Sequence, residues 1–483
     1  MLTSVPQEND NRYLIEKVVQ RARTKLPVET HANIEAFIRQ FYAGVALEDL
    51  TERNVMDLYG AVVSIWNLAR YRRPDERLIR VQNPDIEEHG WQSTHTVIEI
   101  IQKDMPFLVD SIRMALNRHG LTIHLTIHPV MRIERNEQGE LVKVFDASEI
   151  GDETFNESYL YFEVDRQTDR DTLEQLQADI NSVLDDVANC VHDWQPMRNK
   201  LREIVDEIKQ YPPPLDAEQL EEDLAFLQWL DQDHFTFIGF REYLLERHKG
   251  KDKLLIVPDS GLGILQSVSE TPYSRSFEAL HPRAKQKAHE PTLLILTKSN
   301  SRATIHRPGY LDYIGIKKFD RHGKVVGEWR FLGLYTSAAY IRRATDIPLL
   351  RRKVQNVLRR SDFRPHSHSL KVLLNIVETL PRDELFQCTE DELFNMATSI
   401  LQLQERQRVR VIVRPDMFGR FVSCLVYLPR DRFNTDIRIR VQEILASLFH
   451  AEEMDFTVLL TESVHARIHL ILHLPPGERP RYD

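Results

Sequence analysis

The sequence predicts an α+β protein built from repeated ferredoxin-like β-α-β-β-α-β modules with antiparallel sheets, together with helical N-terminal and connecting segments. From Ser93 onward the apolar pattern changes from three- and four-residue spacing to alternation, and the elements follow in the order β-α-β-β-α. Near the C-terminal end the order strand, helix, strand, strand occurs again. Such an order produces an antiparallel sheet with helices on one face.

Length and charge exclude several classes of protein. A chain of 483 residues predicts about three domains. The formal net charge of -10 disfavours nucleic acid and anionic membranes as partners, because both usually require a basic surface. The sequence contains neither a secretory leader nor a long apolar run, so we expect a cytoplasmic protein with no membrane or nucleic-acid partner.

The N-terminal half divides into a helical segment and a first module. Residues 1–91 show helical periodicity throughout. Residues 92–200 form the first predicted module, in which THTVIEIIQ is a strand, PFLVDSIRMALNRHG a helix, LTIHLTIHPVMRIER and SYLYFEVDR single strands, and DTLEQLQADINSVLDDVANCV a helix. This order lacks the final strand of a β-α-β-β-α-β module.

The C-terminal half contains two further modules and a connector. We predict a second, mostly antiparallel module over 217–340, a helical connector over 345–406, and a third module over 407–483. In the third module Asn434 should cap the helix TDIRIRVQEILASLF. Its order stops before a second helix, so we expect the module to be incomplete at its C-terminus. The predicted apolar stripe of the helix consists of Ile437, Val441, Ile444, Leu445 and Leu448.

Catalytic and metal signatures are missing from the sequence. It contains no GxxxxGK[ST], CxxC, HExxH or GxSxG, and its three cysteines are far apart, so we predict no catalytic residue and no metal ligand. His124 and His128 would lie about 13 Å apart along one strand, too far to share an ion. SGLGILQ, at 260–266, lacks the third glycine of a dinucleotide loop and predicts a turn.

A basic segment occurs in this acidic chain at 341–364. It contains Arg351, Arg352, Lys353, Arg359 and Arg360. The favoured interpretation is a charged helix face in water, and the alternative is a site for a carboxylate effector or an acidic partner domain.

The stretch KDMPFLVDS, 103–111, forms a strand-to-helix corner. Pro106 fixes a φ suited to a first helical turn, and Asp104 can accept hydrogen bonds from that turn, so the corner can be a plain helix start. Alternatively, the free N–H groups would receive a carboxylate while Asp104 and Asp110 face an ammonium group, which suits an amino-acid zwitterion.

Several long stretches resemble one family. KDMPFLVDSIRMALNRHGLTIHLTIHPVMRI, DQDHFTFIGFREYLL, FLGLYTSAAY, GRFVSCLVYLPRDRFNTDIRIRVQEIL and DFTVLLTESVHARIHLILH are similar to the N-terminal part of the bacterial large NAD-specific glutamate dehydrogenases. Members of that family carry ACT-type domains ahead of a catalytic dehydrogenase domain, and the three modules predicted above are therefore identified as ACT-like.

The resemblance implies a division of labour. The full protein would convert L-glutamate to 2-oxoglutarate and ammonium with NAD, while this segment, which has no cofactor of its own, would supply regulation and homo-oligomer assembly beside its own catalytic domain. ACT domains commonly bind an effector, here an amino acid or carboxylate, near the first strand-to-helix loop, which often reads Asp-x-Pro-Gly. The corresponding residues are Asp104, Met105, Pro106, Phe107, Asp110 and Ser111. A purely structural scaffold that binds no effector is the alternative.

Overall fold

The computed structural model describes residues 8–146, 155–267, 271–280, 285–403, 406–461 and 463–475. The chain divides into two compact units, one of residues 1–191 with 303–308 and one of residues 192–302 with 309–483. The C-terminal end of the third module, which we expect to be incomplete at residue 483, lies outside the described residues.

Both units contain helices and strands. The α-helices are α1 Glu8–Lys25, α2 His31–Tyr42, α3 Leu47–Thr51, α4 Val55–Ala69, α5 Ile86–His89, α6 Leu108–Arg118, α7 Arg170–His192, α8 Trp194–Gln210, α9 Ala217–Trp229, α10 Arg275–Glu278, α11 Ser337–Ile341, α12 Leu350–Arg360, α13 His368–Thr379, α14 Arg382–Gln387, α15 Glu390–Leu403 and α16 Thr435–Phe449. The strands are β1 Leu78–Gln82, β2 Thr96–Lys103, β3 Ile123–Ile127, β4 Val130–Arg135, β5 Leu141–Val144, β6 Phe155–Val164, β7 Phe235–His248, β8 Lys251–Ile256, β9 Leu262–Gly263, β10 Leu294–Arg302, β11 Tyr310–Phe319, β12 Val325–Tyr335, β13 Arg410–Pro415, β14 Phe421–Pro429, β15 Glu453–Leu459 and β16 His465–His473.

The sheet of the first unit confirms the antiparallel ferredoxin-like arrangement. Its order is β1-β2-β6-β4-β5, and β3 also pairs with β6. Strand β6 is central, because it pairs antiparallel with β2 on one side and with β3 and β4 on the other.

The strand that the first module lacked comes from the segment predicted to be entirely helical. Within residues 1–91, β1 is a strand, and Leu78 to Gln82 pair antiparallel with β2. It occupies the edge position that the last strand holds in a ferredoxin-like sheet. The prediction of helix alone is therefore wrong here, since a five-residue strand among charged residues gains its stability from pairing with β2.

The run LTIHLTIHPVMRIER forms two strands instead of the predicted one. Strand β3 ends at Ile127 and β4 begins at Val130, with Pro129 between them. Proline has no N–H to contribute to a ladder, so it interrupts the strand. Strand β5 then extends the sheet as a hairpin with β4.

Both faces of the neighbouring strands β2 and β6 are buried. Val97, Ile101, Tyr159 and Tyr161 pack in one core with the apolar sides of α1, α2 and α4. Residues of opposite parity on the same strands, such as Ile98 and Leu160, are also completely buried. The N-terminal helices are therefore a layer of the first domain.

A buried ion cluster joins this helical layer to the sheet. The Glu157 carboxylate accepts from the Arg72 guanidinium at 2.8 Å and from Arg135 Nε at 2.6 Å. The Tyr159 hydroxyl donates to the same carboxylate at 2.9 Å. Burial opposes ionisation, but Arg135 and Arg72 outweigh it and hold the pKa of Glu157 below its usual value.

The sheet of residues 217–340 has a different topology from the predicted ACT-like module. Its order is β10-β11-β12-β7-β8, with β9 beside β7, and every pairing is antiparallel. The antiparallel sheet was predicted correctly, but the β-α-β-β-α-β layout is wrong for this region. Strands β11 and β12 are joined by a tight turn in which Gly323 has a φ of 77°, so the strands form a meander.

The C-terminal sheet repeats the arrangement of the first unit. Its order is β13-β14-β16-β15, and β13 holds the edge position that β1 holds in the first sheet. Helix α16 begins as predicted, because Asn434 Oδ1 accepts from the Ile437 N–H at 2.8 Å. Four helices, α12 to α15, occupy the predicted connector.

The apolar stripe predicted for α16 is only partly buried. Leu445 and Phe449 lie in the core, and Ile437 and Val441 pack against its margin. In contrast, 57% of Ile444 and 59% of Leu448 are exposed. The prediction of one buried stripe is therefore wrong for these two residues, since the helix is apolar over a wider arc than the sheet covers.

None of the helices in the described part of the chain is long and apolar enough to cross a membrane.

Replacing Glu157 by Gln should lower the free energy of unfolding by about 3 kcal/mol at neutral pH, because two buried guanidinium groups lose their counter-charge. The Glu157 contribution is present above the unfolded pKa of 4.5 and should fade as pH falls through the lower folded pKa. Denaturant unfolding at several pH values measures both effects. Glu134→Gln, an exposed position on β4, is the matched control. An equal loss in both variants would contradict the assignment.

Candidate functional site

The predicted corner joins β2 to α6 in the first unit. Lys103 ends β2, and Leu108 begins α6. Asp104, Met105 and Phe107 are partly buried, Pro106 and Asp110 are exposed, and Ser111 is completely buried. The six residues thus surround one turn but face different environments.

Asp104 is held by the neighbouring strand. Its Oδ1 atom accepts from the Ser158 hydroxyl, and its N–H donates to the Asn156 carbonyl at 3.0 Å. His128 Nε2 lies 3.2 Å from the same Ser158 oxygen. Burial lowers the pKa of His128, while the Asp104 charge opposes that shift. The carboxylate of Asp104 is therefore held in place by the neighbouring strand, where it can receive a cationic group.

Helix α6 starts in an unusual way. Its N-cap residue is Phe107, which has a φ of 73° in the left-handed region and provides no side-chain cap. The expectation that Asp104 caps this helix as a plain start is therefore wrong. A left-handed backbone costs a residue with a Cβ atom roughly 1–2 kcal/mol. Phe107 stands where ACT loops often have glycine, the residue that adopts this conformation without strain.

Residues 303–308, which belong to the first unit, cover the corner. The Phe107 and His306 rings are stacked with centroids 4.9 Å apart. The His306 N–H donates to Ser111 Oγ at 3.3 Å, and the Ser111 hydroxyl donates to the Phe107 carbonyl at 2.6 Å. These contacts offset the strained backbone of Phe107. They also place Ser111 beneath a second segment of the chain.

The basic segment 341–364 contains both paired and solvent-facing charges. Arg359 and Arg360 are exposed, in agreement with the interpretation of a charged face in water, whereas Arg351 and Lys353 bind other residues of the second unit. Arg351 binds the Glu222 carboxylate with two nitrogens, at 2.9 Å and 2.6 Å. Lys353 Nζ donates to three carbonyls at the end of α14, those of Leu385, Phe386 and Cys388. These positive charges stabilise the fold.

The histidines of β3 and its loop have separate partners. His124 Nε2 lies 2.8 Å from Asp165 Oδ1, whereas His128 contacts Ser158. A group of metal-ligand type occurs at Asp85, Glu88 and His89. Asp85 caps α5 through a 2.8 Å hydrogen bond from the Glu88 N–H, so this carboxylate already has a structural role.

Sequence reasoning missed a cavity of about 380 Å³ in the first unit. Its floor is Glu163, which is 4% exposed. Glu163 Oε2 pairs with Arg53 at 2.6 Å, and Oε1 accepts from the Tyr161 hydroxyl at 3.0 Å. His95 Nδ1 lies 3.4 Å from the same carboxylate. These residues come from separate segments, so no local motif marks the cavity.

Three family models match regions of the chain. They are described as "Glutamate dehydrogenase, ACT1 domain" over residues 37–180, "Glutamate dehydrogenase, helical motif 1" over 347–406, and "Glutamate dehydrogenase, ACT2 domain" over 410–483. The ACT1 match includes α4 and β1, in agreement with a domain that contains part of the helical layer.

Known relatives match most of the chain. An NAD-specific glutamate dehydrogenase from Halomonas elongata is 41% identical over 99% of the chain. The chain belongs to the NAD-specific glutamate dehydrogenase family. Enzymes of the same name from Pseudomonas aeruginosa and Mycobacterium tuberculosis are 38% and 26% identical, over 93% and 85% of the chain. The chain spans only 30%, 28% and 24% of the lengths of these three relatives. It is similar to their N-terminal part.

Two substitutions at Phe107 test its backbone strain. Phe107→Ala and Phe107→Gly both remove the ring stack, but only glycine removes the strain. We expect the glycine variant to have the higher free energy of unfolding, by about 1 kcal/mol, in denaturant titration. The same pair at Arg113, exposed in α6, should show the opposite order, since alanine favours a helix. Alanine being the better residue at both positions would refute the strain.

Proposed function

We propose that this chain is the regulatory and assembly region of an NAD-dependent glutamate dehydrogenase. In the full cytoplasmic protein, a catalytic domain elsewhere would convert L-glutamate, NAD and water to 2-oxoglutarate, ammonium and NADH. The observation that carries the proposal is the pair of antiparallel sheets, one in each unit, that share one strand order over four positions, β1-β2-β6-β4 and β13-β14-β16-β15, within the ACT1 and ACT2 matches. ACT domains often bind small effectors, and the relatives are named as NAD-specific enzymes.

The corner Asp104–Ser111 is the proposed effector site. Asp104 would receive the ammonium group of an amino acid, and Asp110, exposed in the first turn of α6, would contribute a second negative charge. The N–H groups of that turn favour a carboxylate. Because Phe107 and Ser111 contact residues 303–308, a bound effector would act on that segment as well.

Assembly into a homo-oligomer is supported by exposed apolar residues on α16 and β15 of the second unit. Strand β15 lies at the edge of its sheet, where Phe456 is 44% exposed. Ile444 and Leu448 add apolar area on α16. Exposed strand edges and apolar patches are common at subunit contacts. A scaffold that binds no effector would use this surface and leave the corner empty.

The effector site is tested with the full-length enzyme. NADH formation is measured while amino acids and central-metabolism carboxylates are titrated against wild type, Asp104→Ala and Asp110→Ala. Loss of a charged hydrogen bond should raise the half-maximal effector concentration about tenfold or more. Ser158→Ala, which removes a neutral partner of Asp104 but keeps the carboxylate, should retain the response. A regulated enzyme whose response is unchanged in both Asp variants would contradict this site.

The assembly role is tested by sedimentation of the 483-residue chain. Leu448→Asp should shift the oligomer toward smaller species, because it places a charge on the exposed apolar surface. Val142→Asp, at a 48% exposed position on β5, is the control and should leave the distribution unchanged. A wild-type chain that remains monomeric at all concentrations would overturn the assembly proposal.

A further inference from the structure

Polar side chains suited to binding a ligand line the cavity above Glu163. It lies in the first unit between the N-terminal helices and the sheet, and Tyr42, Leu58, Leu125 and Ile127 form part of its wall. A volume near 380 Å³ accommodates a molecule of amino-acid size. The cavity opens to solvent on the side of the exposed residues Glu52 and Gln92, and the buried carboxylate of Glu163 lies at its floor.

The charge of the lining is negative. Glu52, Asp57 and Glu163 contribute three carboxylates, and Arg53 contributes the one guanidinium or ammonium group among the described lining residues. Burial lowers the pKa of His95, which is therefore neutral near pH 7. The formal charge of the lining is thus -2.

The carboxylates retain capacity for a further donor. A carboxylate has about four acceptor positions. Tyr161 and Arg53 occupy one position on each Glu163 oxygen. Asp57 receives the Asn54 side chain and the Gln92 backbone N–H. Burial raises the pKa of Asp57, these two hydrogen bonds oppose the rise, and the nearby Glu163 charge makes a smaller contribution in the same direction as burial. An added positive charge would relieve the repulsion between these two groups.

Aromatic side chains complete the preference for a cation. Tyr42, Tyr161 and Trp91 line the cavity. Burial keeps the pKa of Tyr42 and Tyr161 far above neutral pH, so both rings stay uncharged. The faces of such rings attract ammonium groups.

We infer that this cavity is a binding site for a small aliphatic ammonium compound, whose cationic group lies between Glu163 and Asp57 against the aromatic wall. Binding would connect α4 to β6, the two elements that the Arg53–Glu163 pair already joins. The site shares no residue with the corner Asp104–Ser111, so either proposal can fail without the other.

The experiment follows thermal unfolding of the 483-residue chain with putrescine, succinate and γ-aminobutyrate. These probes have the same carbon-chain length and carry two ammonium groups, two carboxylates, or one of each. Putrescine should raise the melting temperature with saturation, since a ligand that binds only the folded state stabilises it. Succinate should give no shift. A response to γ-aminobutyrate that is weaker than that to putrescine is expected from the negative lining.

Glu163→Gln and Asp57→Asn should each weaken the apparent putrescine affinity about tenfold or more. Glu157→Gln is a matched control on the same strand, because Glu157 is also buried with arginine and tyrosine partners but does not line the cavity. This control should melt at a lower temperature yet keep the full putrescine shift. If Glu163→Gln does not fold, Asp57→Asn decides.

Three results would overturn the inference: no shift with putrescine, an equal shift with succinate, or an unchanged putrescine affinity in Asp57→Asn and in any folded Glu163→Gln. Asp104→Ala should leave the putrescine shift intact, which keeps this test separate from the effector test.

Discussion

Strand β6 imposes the main constraint on the first unit, because one of its faces carries two buried carboxylates. Glu157, Tyr159, Tyr161 and Glu163 alternate along the strand, and each tyrosine hydroxyl donates to the adjacent glutamate. Burial raises the pKa of both tyrosines, so they remain donors. An isolated carboxylate would be too costly in this core, and each one requires a guanidinium from elsewhere in the chain.

The arginines that satisfy this requirement explain why the N-terminal helices belong to the domain. Arg72, just after α4, reaches Glu157, and Arg53, just before α4, reaches Glu163. The same helix is thus fixed at both ends to one strand of the sheet. At the Glu157 end a second guanidinium, that of Arg135, also donates to the carboxylate. At the Glu163 end there is no such second arginine among the described contacts, and a cavity remains.

Local patterns were enough to predict most elements but not their partners. The alternating apolar runs of β2, β6, β14 and β16 correctly predicted strands, because each has a long apolar face. Strand β1 was missed because five residues are too few to show a period, and its stability depends on β2. The meander of the second unit was taken for a repeat because strand patterns do not reveal how strands connect.

For the candidate sites as well, the sequence indicated contiguous residues but not their tertiary contacts. The corner Asp104–Ser111 was found from its sequence, since its residues are contiguous. Its contacts with Ser158 and His306 depend on tertiary structure, as does the left-handed conformation of Phe107. The charge balance around Glu163 depends on residues more than a hundred positions apart, such as Arg53, and no spacing rule reports it.

The use of β1 and β13 as edge strands has a consequence for how the chain folds during synthesis. In a ferredoxin-like sheet whose edge strand comes last, that strand must wait until the end of the module has been made. Here each edge strand precedes its partner by a short connection, so the pairing is local and its loop-closure entropy is small. Each ACT sheet has every one of its strands as soon as its central strand, β6 or β16, leaves the ribosome. No sheet edge in either domain then waits for residues from a downstream region to pair with it.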